Sequence, residues 1–172
     1  MLIVITGGSN SGKSVVAEGF ARKLYSGRKV FLATLVPTHE EDKEKIEKHR
    51  SKRQASCFQV IEQGTHIENL DLQGECCVLI ENMGELLRNE MYNSCGVRLG
   101  VADHIMDGIR HVKSQAEHLI VVTNEIFSDV IEDSKTRRYV EELGILNLKL
   151  AEAADIFIEV VYGIPICIKG AK

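Results

Sequence analysis

The sequence predicts an α/β protein built on a mostly parallel β-sheet with helices on both faces. Apolar runs of strand length alternate with helical segments, and polar residues follow directly after several of these runs. Strands buried on both faces of a parallel sheet read as continuous apolar runs. Their carboxyl ends meet at one edge of the sheet, where open α/β sheets bind ligands, so we expect a site there.

The individual elements follow from periodicity and from the positions of glycine and proline. A helix is expected to begin at Thr38, where Glu41 completes the spacing of a capping box. The last helix carries one apolar stripe, formed by Tyr139, Val140, Leu143, Leu146, Leu150 and Ala153. We expect strands over 2–6, 29–34, 57–62, 75–82 and 118–125, and helices over 13–25, 83–92, 97–117 and 133–154.

The final apolar segments, DIFIEVVY and GIPICIK, are expected to form an antiparallel hairpin. Its turn is predicted at Gly163, and Pro165 indicates a position at the edge of the sheet because proline has no N–H to donate to a ladder.

Length and composition bound the class of protein. The chain has 172 residues, which suits a single domain over 1–172. No apolar run reaches the roughly 18 residues of a membrane span, and the short run at 2–5 ends at Gly7, so we expect no signal peptide and a cytoplasmic protein. The net charge of −4 argues against nucleic-acid binding. The five cysteines fit no zinc-binding spacing and are expected to be reduced.

The first polar segment, GGSNSGKS, is a complete Walker A loop between a predicted strand and a predicted helix. Its glycines let successive backbone N–H groups point at a phosphate, and the helix adds the positive end of its dipole. We expect Lys13 to reach the β- and γ-phosphates and the Ser14 hydroxyl to bind Mg²⁺. The predicted nucleotide-binding residues of the loop are Gly7, Gly8, Ser9, Asn10, Ser11, Gly12, Lys13 and Ser14.

A second ligand for the metal is predicted at Glu81, which ends the apolar run CCVLIE where the acid of a Walker B motif lies. Asn124 and Glu125 end the neighbouring run HLIVVTNE and are expected at the same edge.

The segment HEEDKEKIEKHRSKR has almost no apolar face, so a solvated surface helix is one interpretation. A catalytic role for His49 is the other. His49 precedes a basic cluster suited to phosphate, and an imidazole among cations keeps a lowered pKa and stays nucleophilic. The remaining histidines (39, 66, 104, 111 and 118) have no comparable setting and are interpreted as surface residues.

These segments together resemble the bifunctional adenosylcobinamide kinase / adenosylcobinamide-phosphate guanylyltransferase family of the cobalamin pathway. The matching pieces cover essentially the whole chain: ITGGSNSGKS, FLATL, KIEKHRSKR, VLIEN, VVTNE, RRYVEELGILN, LAEAAD and YGIPICIK. The resemblance implies a RecA-like P-loop sheet and a homo-oligomer, often a trimer.

The implied activity has two steps. A nucleoside triphosphate phosphorylates adenosylcobinamide, and GTP then guanylylates the product through a GMP–histidine, with His49 as nucleophile. ATP and GTP are the implied substrates and the corrinoid is the acceptor. The implied acids are Glu62 and Glu81, and the other implied nucleotide contacts are Ala33, Thr34, Leu35, Arg50, Ser51, Lys52 and Arg53.

The chain departs from the family pattern outside the loop and His49. Gln54 stands where a proline is usual, and Tyr139-Val140-Glu141 lacks the arginine of the family pattern. Leu148 replaces the usual glutamine, and IFSDVIED follows Asn124-Glu125 in place of a glycine-rich segment. These regions could form the corrinoid site. Two alternatives therefore stay open: another small-molecule kinase on this fold, and a non-catalytic nucleotide-dependent switch.

Overall fold

The computed structural model describes residues 1–36, 57–93, 96–126 and 133–170. Within those ranges the strands are β1 Leu2–Thr6, β2 Lys29–Ala33, β3 Phe58–Glu62, β4 Cys77–Glu81, β5 Tyr92–Asn93, β6 Gly96–Val97, β7 His118–Val122, β8 Ile156–Val161 and β9 Ile164–Lys169. The helices are α1 Lys13–Leu24, α2 Met83–Met91, α3 Ala102–Gln115 and α4 Ser134–Ala153, with a 3₁₀ turn at Ile67–Asn69. The helix expected from Thr38 lies outside the described residues.

The main sheet has seven strands in the order β3-β2-β4-β7-β1-β8-β9. All of its neighbouring pairs are parallel except β8 and β9, which form the predicted antiparallel hairpin. The strand β9 closes one edge, as the position of Pro165 predicts. The predicted fold class is therefore confirmed.

Both faces of the sheet are covered, because successive side chains of a strand point in opposite directions. Leu2 and Val4 belong to an apolar cluster that they share with α2, α3 and α4. Ile3 and Ile5 belong to a second cluster, on the face that packs against α1. All four side chains are almost completely buried, which explains why this strand reads as a continuous apolar run.

The helix predicted over 97–117 begins later than expected. Gly96–Val97 instead pairs with Tyr92–Asn93 in a short antiparallel ribbon. The Arg98 N–H donates to the Met91 carbonyl at 2.8 Å, and the Gly100 N–H donates to Glu142 Oε1 at 2.7 Å. The backbone before Ala102 thus has hydrogen-bond partners outside a helix, and that prediction was wrong at its start.

The apolar stripe of α4 is confirmed for Leu143, Leu146 and Leu150, which are fully buried. Tyr139 and Val140 are partly buried, whereas Ala153 is exposed at the last turn. Asp133 begins this helix, and its carboxylate accepts the Thr136 N–H at 2.8 Å. Among the described helices, none combines the length and the apolar character needed to cross a membrane.

Candidate functional site

The phosphate loop leads from the carboxyl end of β1 into the first turn of α1. Asn10 and Gly12 both have left-handed backbones, with φ of 56° and 92°. This conformation turns the chain so that α1 begins at Lys13, with no side-chain cap on its first N–H groups. Such N–H groups are the donors that a helix offers to an anion.

The Lys13 side chain contacts the phosphate loop. Its Nζ donates to the Gly8 carbonyl at 2.8 Å. Burial lowers the pKa of Lys13 from its ordinary value, and the nearby Glu81 carboxylate acts in the opposite direction. The Lys13 side chain is thereby held beside the phosphate loop.

Ser14 and Glu81 are brought together as the sequence analysis expected. The Ser14 hydroxyl, in the first turn of α1, donates to Glu81 Oε1, at the end of β4. The pair lines a cleft of about 400 Å³. Its other described lining residues are Ser9, Asn10, Ser11, Gly12, Lys13, Asn82, Asn124 and Ile126.

The C-terminal hairpin supports the loop from the opposite side. The Gly163 N–H, at the β8–β9 turn, donates to the Ser11 carbonyl at 2.8 Å. Ser11 Oγ is buried and has no hydrogen-bond partner among the described residues. The sequence predicted the turn at Gly163 but not this contact, because only the position of β8 beside β1 brings the turn to the loop.

The floor of the cleft is fixed by hydrogen bonds between the strand ends and two helices. Asn82 Oδ1 accepts the Glu85 N–H at 2.9 Å and so caps α2. In α4, Asn147 Oδ1 accepts a hydrogen bond from the Thr123 hydroxyl at 2.6 Å, and Asn147 Nδ2 donates to the Asn124 carbonyl at 3.1 Å. These bonds hold Asn82 and Asn124 in place at the cleft.

Gly84 lies close to the side chains of Asn82, Asn124 and Tyr139. A Cβ at this position would be 2.8 Å from the Tyr139 hydroxyl, 2.9 Å from Asn124 Nδ2 and 3.1 Å from Asn82 Oδ1. The Tyr139 hydroxyl donates to the Gly84 carbonyl at 3.2 Å. Burial raises the pKa of Tyr139 to about 12, so this donor keeps its proton at any physiological pH.

Gly84→Ala is therefore expected to displace Asn124 and Tyr139 and to lower the free energy of unfolding by about 1–3 kcal/mol. Gly19→Ala is the matched control, because a Cβ on Gly19 meets nothing within 4 Å and alanine favours a helix. Urea unfolding of both variants measures the difference. Equal stability of the two variants would contradict the packing described for Gly84.

The other predicted nucleotide contacts lie along the same edge of the sheet. Ala33 ends β2, Thr34 and Leu35 follow it, and Glu62 ends β3, paired in register with Ala33. Thr34 is fully buried, and its hydroxyl donates to the Asn82 carbonyl at 2.8 Å. These four residues are not among the described residues that line the cleft, and their nucleotide contacts stay predictions.

The predicted nucleophile lies outside the described residues, together with the basic cluster that follows it. These residues are His49, Arg50, Ser51, Lys52 and Arg53.

A second cavity, of about 440 Å³, lies beside the cleft. Glu125, adjacent to the cleft residue Asn124, lines it. Its other lining residues are Thr6, Gly144, Asn147, Leu148, Ala151 and Phe157. No motif marks this cavity in the sequence, because its residues come from two strands, one helix and the segment after β7.

The sheet order and the loop between β1 and α1 define a P-loop nucleotide-binding fold. The structure is similar to a solved type III secretion ATPase of pathogenic bacteria, with a TM-score of 0.53 and 13% identity over 92% of this chain and 50% of that one. It is also similar to a second solved ATPase domain, with a TM-score of 0.51 and 13% identity over 92% of this chain and 68% of that one. These similarities concern the fold alone.

The chain belongs to the cobinamide kinase / cobinamide phosphate guanyltransferase family, whose sequence model matches residues 3–168. A bifunctional adenosylcobalamin biosynthesis protein of Escherichia coli K12, CobU, is 27% identical over 98% of this chain and 100% of its own length. Its counterpart CobP of Pseudomonas aeruginosa is 29% identical over 97% of this chain and 96% of its own length. The resemblance inferred from the sequence, and with it the assignment to a family of enzymes, is confirmed.

Proposed function

We propose that this chain phosphorylates adenosylcobinamide with a nucleoside triphosphate and then transfers GMP from GTP to the product through a GMP–histidine. Membership of the family supports the two activities. The observation that carries the proposal is the convergence of Lys13, Ser14 and Glu81 at a cleft formed by the phosphate loop. A cation and a hydroxyl at the start of a helix, with a carboxylate at the end of a strand, are the groups that position a triphosphate and its metal.

In the first step the aminopropanol hydroxyl of the corrinoid attacks the γ-phosphorus. A new oxygen–phosphorus bond forms, the bond between the γ-phosphorus and the bridging oxygen breaks, and the nucleoside diphosphate leaves as the hydroxyl proton passes to solvent. Lys13 neutralises charge that accumulates on the phosphate oxygens.

In the second step His49 attacks the α-phosphorus of GTP. A nitrogen–phosphorus bond forms, and pyrophosphate leaves. The phosphate oxygen of adenosylcobinamide phosphate then attacks the same phosphorus, displaces His49 and takes the GMP group. The basic residues Arg50, Lys52 and Arg53 follow the nucleophile in sequence and suit the charge of the triphosphate.

The residues at the cleft also fit Mg²⁺. This ion prefers oxygen ligands, and only one or two of them usually come from the protein. The Ser14 hydroxyl and the Glu81 carboxylate, which are hydrogen-bonded to each other, are the oxygen groups that would hold the ion. Bound Mg²⁺ would neutralise part of the phosphate charge.

The apolar cavity beside the cleft suits the acceptor better than the nucleotide. Thr6, Glu125 and Asn147 contribute to its lining, but the surface that faces the cavity is almost wholly apolar, whereas the cleft at the phosphate loop offers polar groups. Asn124 lines the cleft and the adjacent Glu125 lines the cavity, so the two spaces are neighbours. We therefore place part of the corrinoid against Leu148, Ala151 and Phe157.

Leu148→Lys is expected to raise KM for the corrinoid roughly tenfold and to leave KM for GTP unchanged, because a charge replaces an apolar contact. Ile145→Lys is the matched control: it lies on the same helix, is also exposed and is not a lining residue of the cavity. Steady-state kinetics with each substrate varied in turn measures the effect. An equal change in both variants would contradict this placement.

The direct test of the proposal is a product assay with adenosylcobinamide, ATP, GTP and Mg²⁺, followed by chromatography and mass spectrometry. The proposal predicts adenosylcobinamide phosphate first and the GDP-linked corrinoid second. Phosphate transfer to a different small molecule would favour another kinase on this fold, and bound nucleotide with no product would favour a switch protein.

Three further expectations belong to this proposal and stay predictions. They are a single domain over 1–172, a cytoplasmic location and a homo-oligomer, with a trimer as the form that the resemblance implies.

A further inference from the structure

Two histidines and two carboxylates come together away from the phosphate loop. His66 and Glu68 lie at the 3₁₀ turn of the β3–β4 connection, Glu90 lies in the last turn of α2, and His104 lies in the first turn of α3. The cluster thus ties one long connection to two helices. The buried side chain of Ile67, 1% exposed, anchors the turn that carries the first two residues.

The spacing of the side-chain atoms suits a metal ion. His66 Nδ1 lies 2.9 Å from Glu68 Oε1, and His104 Nε2 lies 3.4 Å from the same oxygen. All three ligand atoms lie within 4.8 Å of one another. In a tetrahedral zinc site with bonds of about 2.0–2.1 Å, neighbouring ligand atoms are roughly 3.3 Å apart, so small side-chain movements would complete the geometry.

The cluster also contains polar groups without complete partners. His104 Nε2 is buried and has no hydrogen-bond partner among the described residues. Glu90 is only 5% exposed, although carboxylates are rarely buried without a cation or several donors. Its Oε1 accepts the His66 N–H at 2.7 Å, and its Oε2 lies 3.9 Å from His104 Nε2. A bound cation would satisfy both groups.

We propose that His66, Glu68 and His104 bind a divalent transition-metal ion, with Zn²⁺ as the best match, and that Glu90 accepts a hydrogen bond from a water in the fourth position. Two imidazoles and one carboxylate favour Zn²⁺ over Mg²⁺ or Ca²⁺, which prefer oxygen ligands alone. This site is separate from the Mg²⁺ site proposed at Ser14 and does not depend on the proposed function.

The ion would fasten the β3–β4 connection to α2 and α3. Asn89, next to Glu90, donates to the Gly64 carbonyl at 2.9 Å and to the Thr34 carbonyl at 2.8 Å. The same connection is therefore linked to the sheet edge that carries the candidate nucleotide site. Metal binding is expected to stabilise that part of the fold.

The alternative is an ion pair between protonated histidine and the carboxylates. The hydrogen bond to Glu68 and the charge of Glu90 raise the pKa of His66, which agrees with such a pair when no metal is bound. An ion pair predicts no response to zinc, so metal titration separates the two explanations.

The test uses the full chain without a histidine tag, stripped with a chelator and titrated with Zn²⁺ against a chromophoric competitor. The His66→Gln/His104→Gln variant is expected to lose one equivalent of bound zinc. In the wild type, zinc at about a hundredfold excess over Kd is expected to raise Tm by roughly 5 °C or more. His111→Gln, on α3 outside the cluster, is the control and is expected to behave as the wild type.

Glu68→Gln keeps the shape of the side chain and tests the site if the double variant does not fold. It is expected to weaken zinc binding at least about tenfold. Co²⁺ bound to the wild type should give the intense absorption of a four-coordinate ion, and this absorption should be lost in the variant. Equal zinc stoichiometry and affinity in the wild type and in the folded cluster variants would overturn the proposal.

Discussion

Replacing Lys13 by alanine is expected to lower kcat of both phosphoryl transfer and guanylyl transfer by about 10²–10³-fold. Its ammonium group lies at the loop that receives the triphosphate in both reactions, and one well-placed charge or hydrogen-bond donor contributes about this much to catalysis. Because Lys13 is partly buried and contacts only the Gly8 carbonyl among the described hydrogen bonds, the fold should survive.

The matched control for this experiment is Lys23→Ala, which removes an exposed lysine from the last turn of the same helix. Its kcat values should stay within twofold of those of the wild type. If Lys13→Ala behaved like this control in both reactions, the phosphate loop would not be the site of either transfer.

Replacing His49 by alanine is expected to lower the rate of guanylyl transfer far more than the rate of phosphorylation. Guanylyl transfer should fall by on the order of 10⁴-fold, because no other group can take its place as the covalent carrier of GMP. Phosphorylation of adenosylcobinamide should change by less than about tenfold, since that step needs only the phosphate loop and its metal. Separate assays of the two products measure the two rates.

His39→Ala is the control for a general effect of changing a histidine in the same segment, and it should leave both rates unchanged. A loss of both activities in His49→Ala, with the protein folded, would indicate a role in nucleotide binding rather than in covalent transfer.

Sequence reasoning predicted the candidate cleft because its main signals are local. The phosphate loop is one continuous motif, and Glu81 is recognisable as the polar end of an apolar strand. Their meeting follows from the rule that parallel strands end at one edge. The hydrogen bond between Ser14 and Glu81 agrees with that expectation.

Sequence reasoning missed features that depend on distant pairing. Nothing near Gly163 indicates that its turn contacts Ser11, because this contact requires β8 to lie beside β1. The sequence predicts a surface position for His104, and its side chain is 26% exposed, but its Nε2 is buried beside carboxylates from other elements. Periodicity places such a residue on a helix but does not say which side chains of other elements surround it.

The GMP–histidine step is tested by incubating the protein with Mg²⁺ and GTP that carries a radioactive α-phosphate, followed by denaturing electrophoresis. The proposed mechanism predicts a covalent label on the wild type that is labile in acid and stable in base, as expected of a phosphorus–nitrogen bond, and that is absent from His49→Ala. No label on folded protein that binds GTP, or a label that persists in His49→Ala, would contradict the GMP–histidine step.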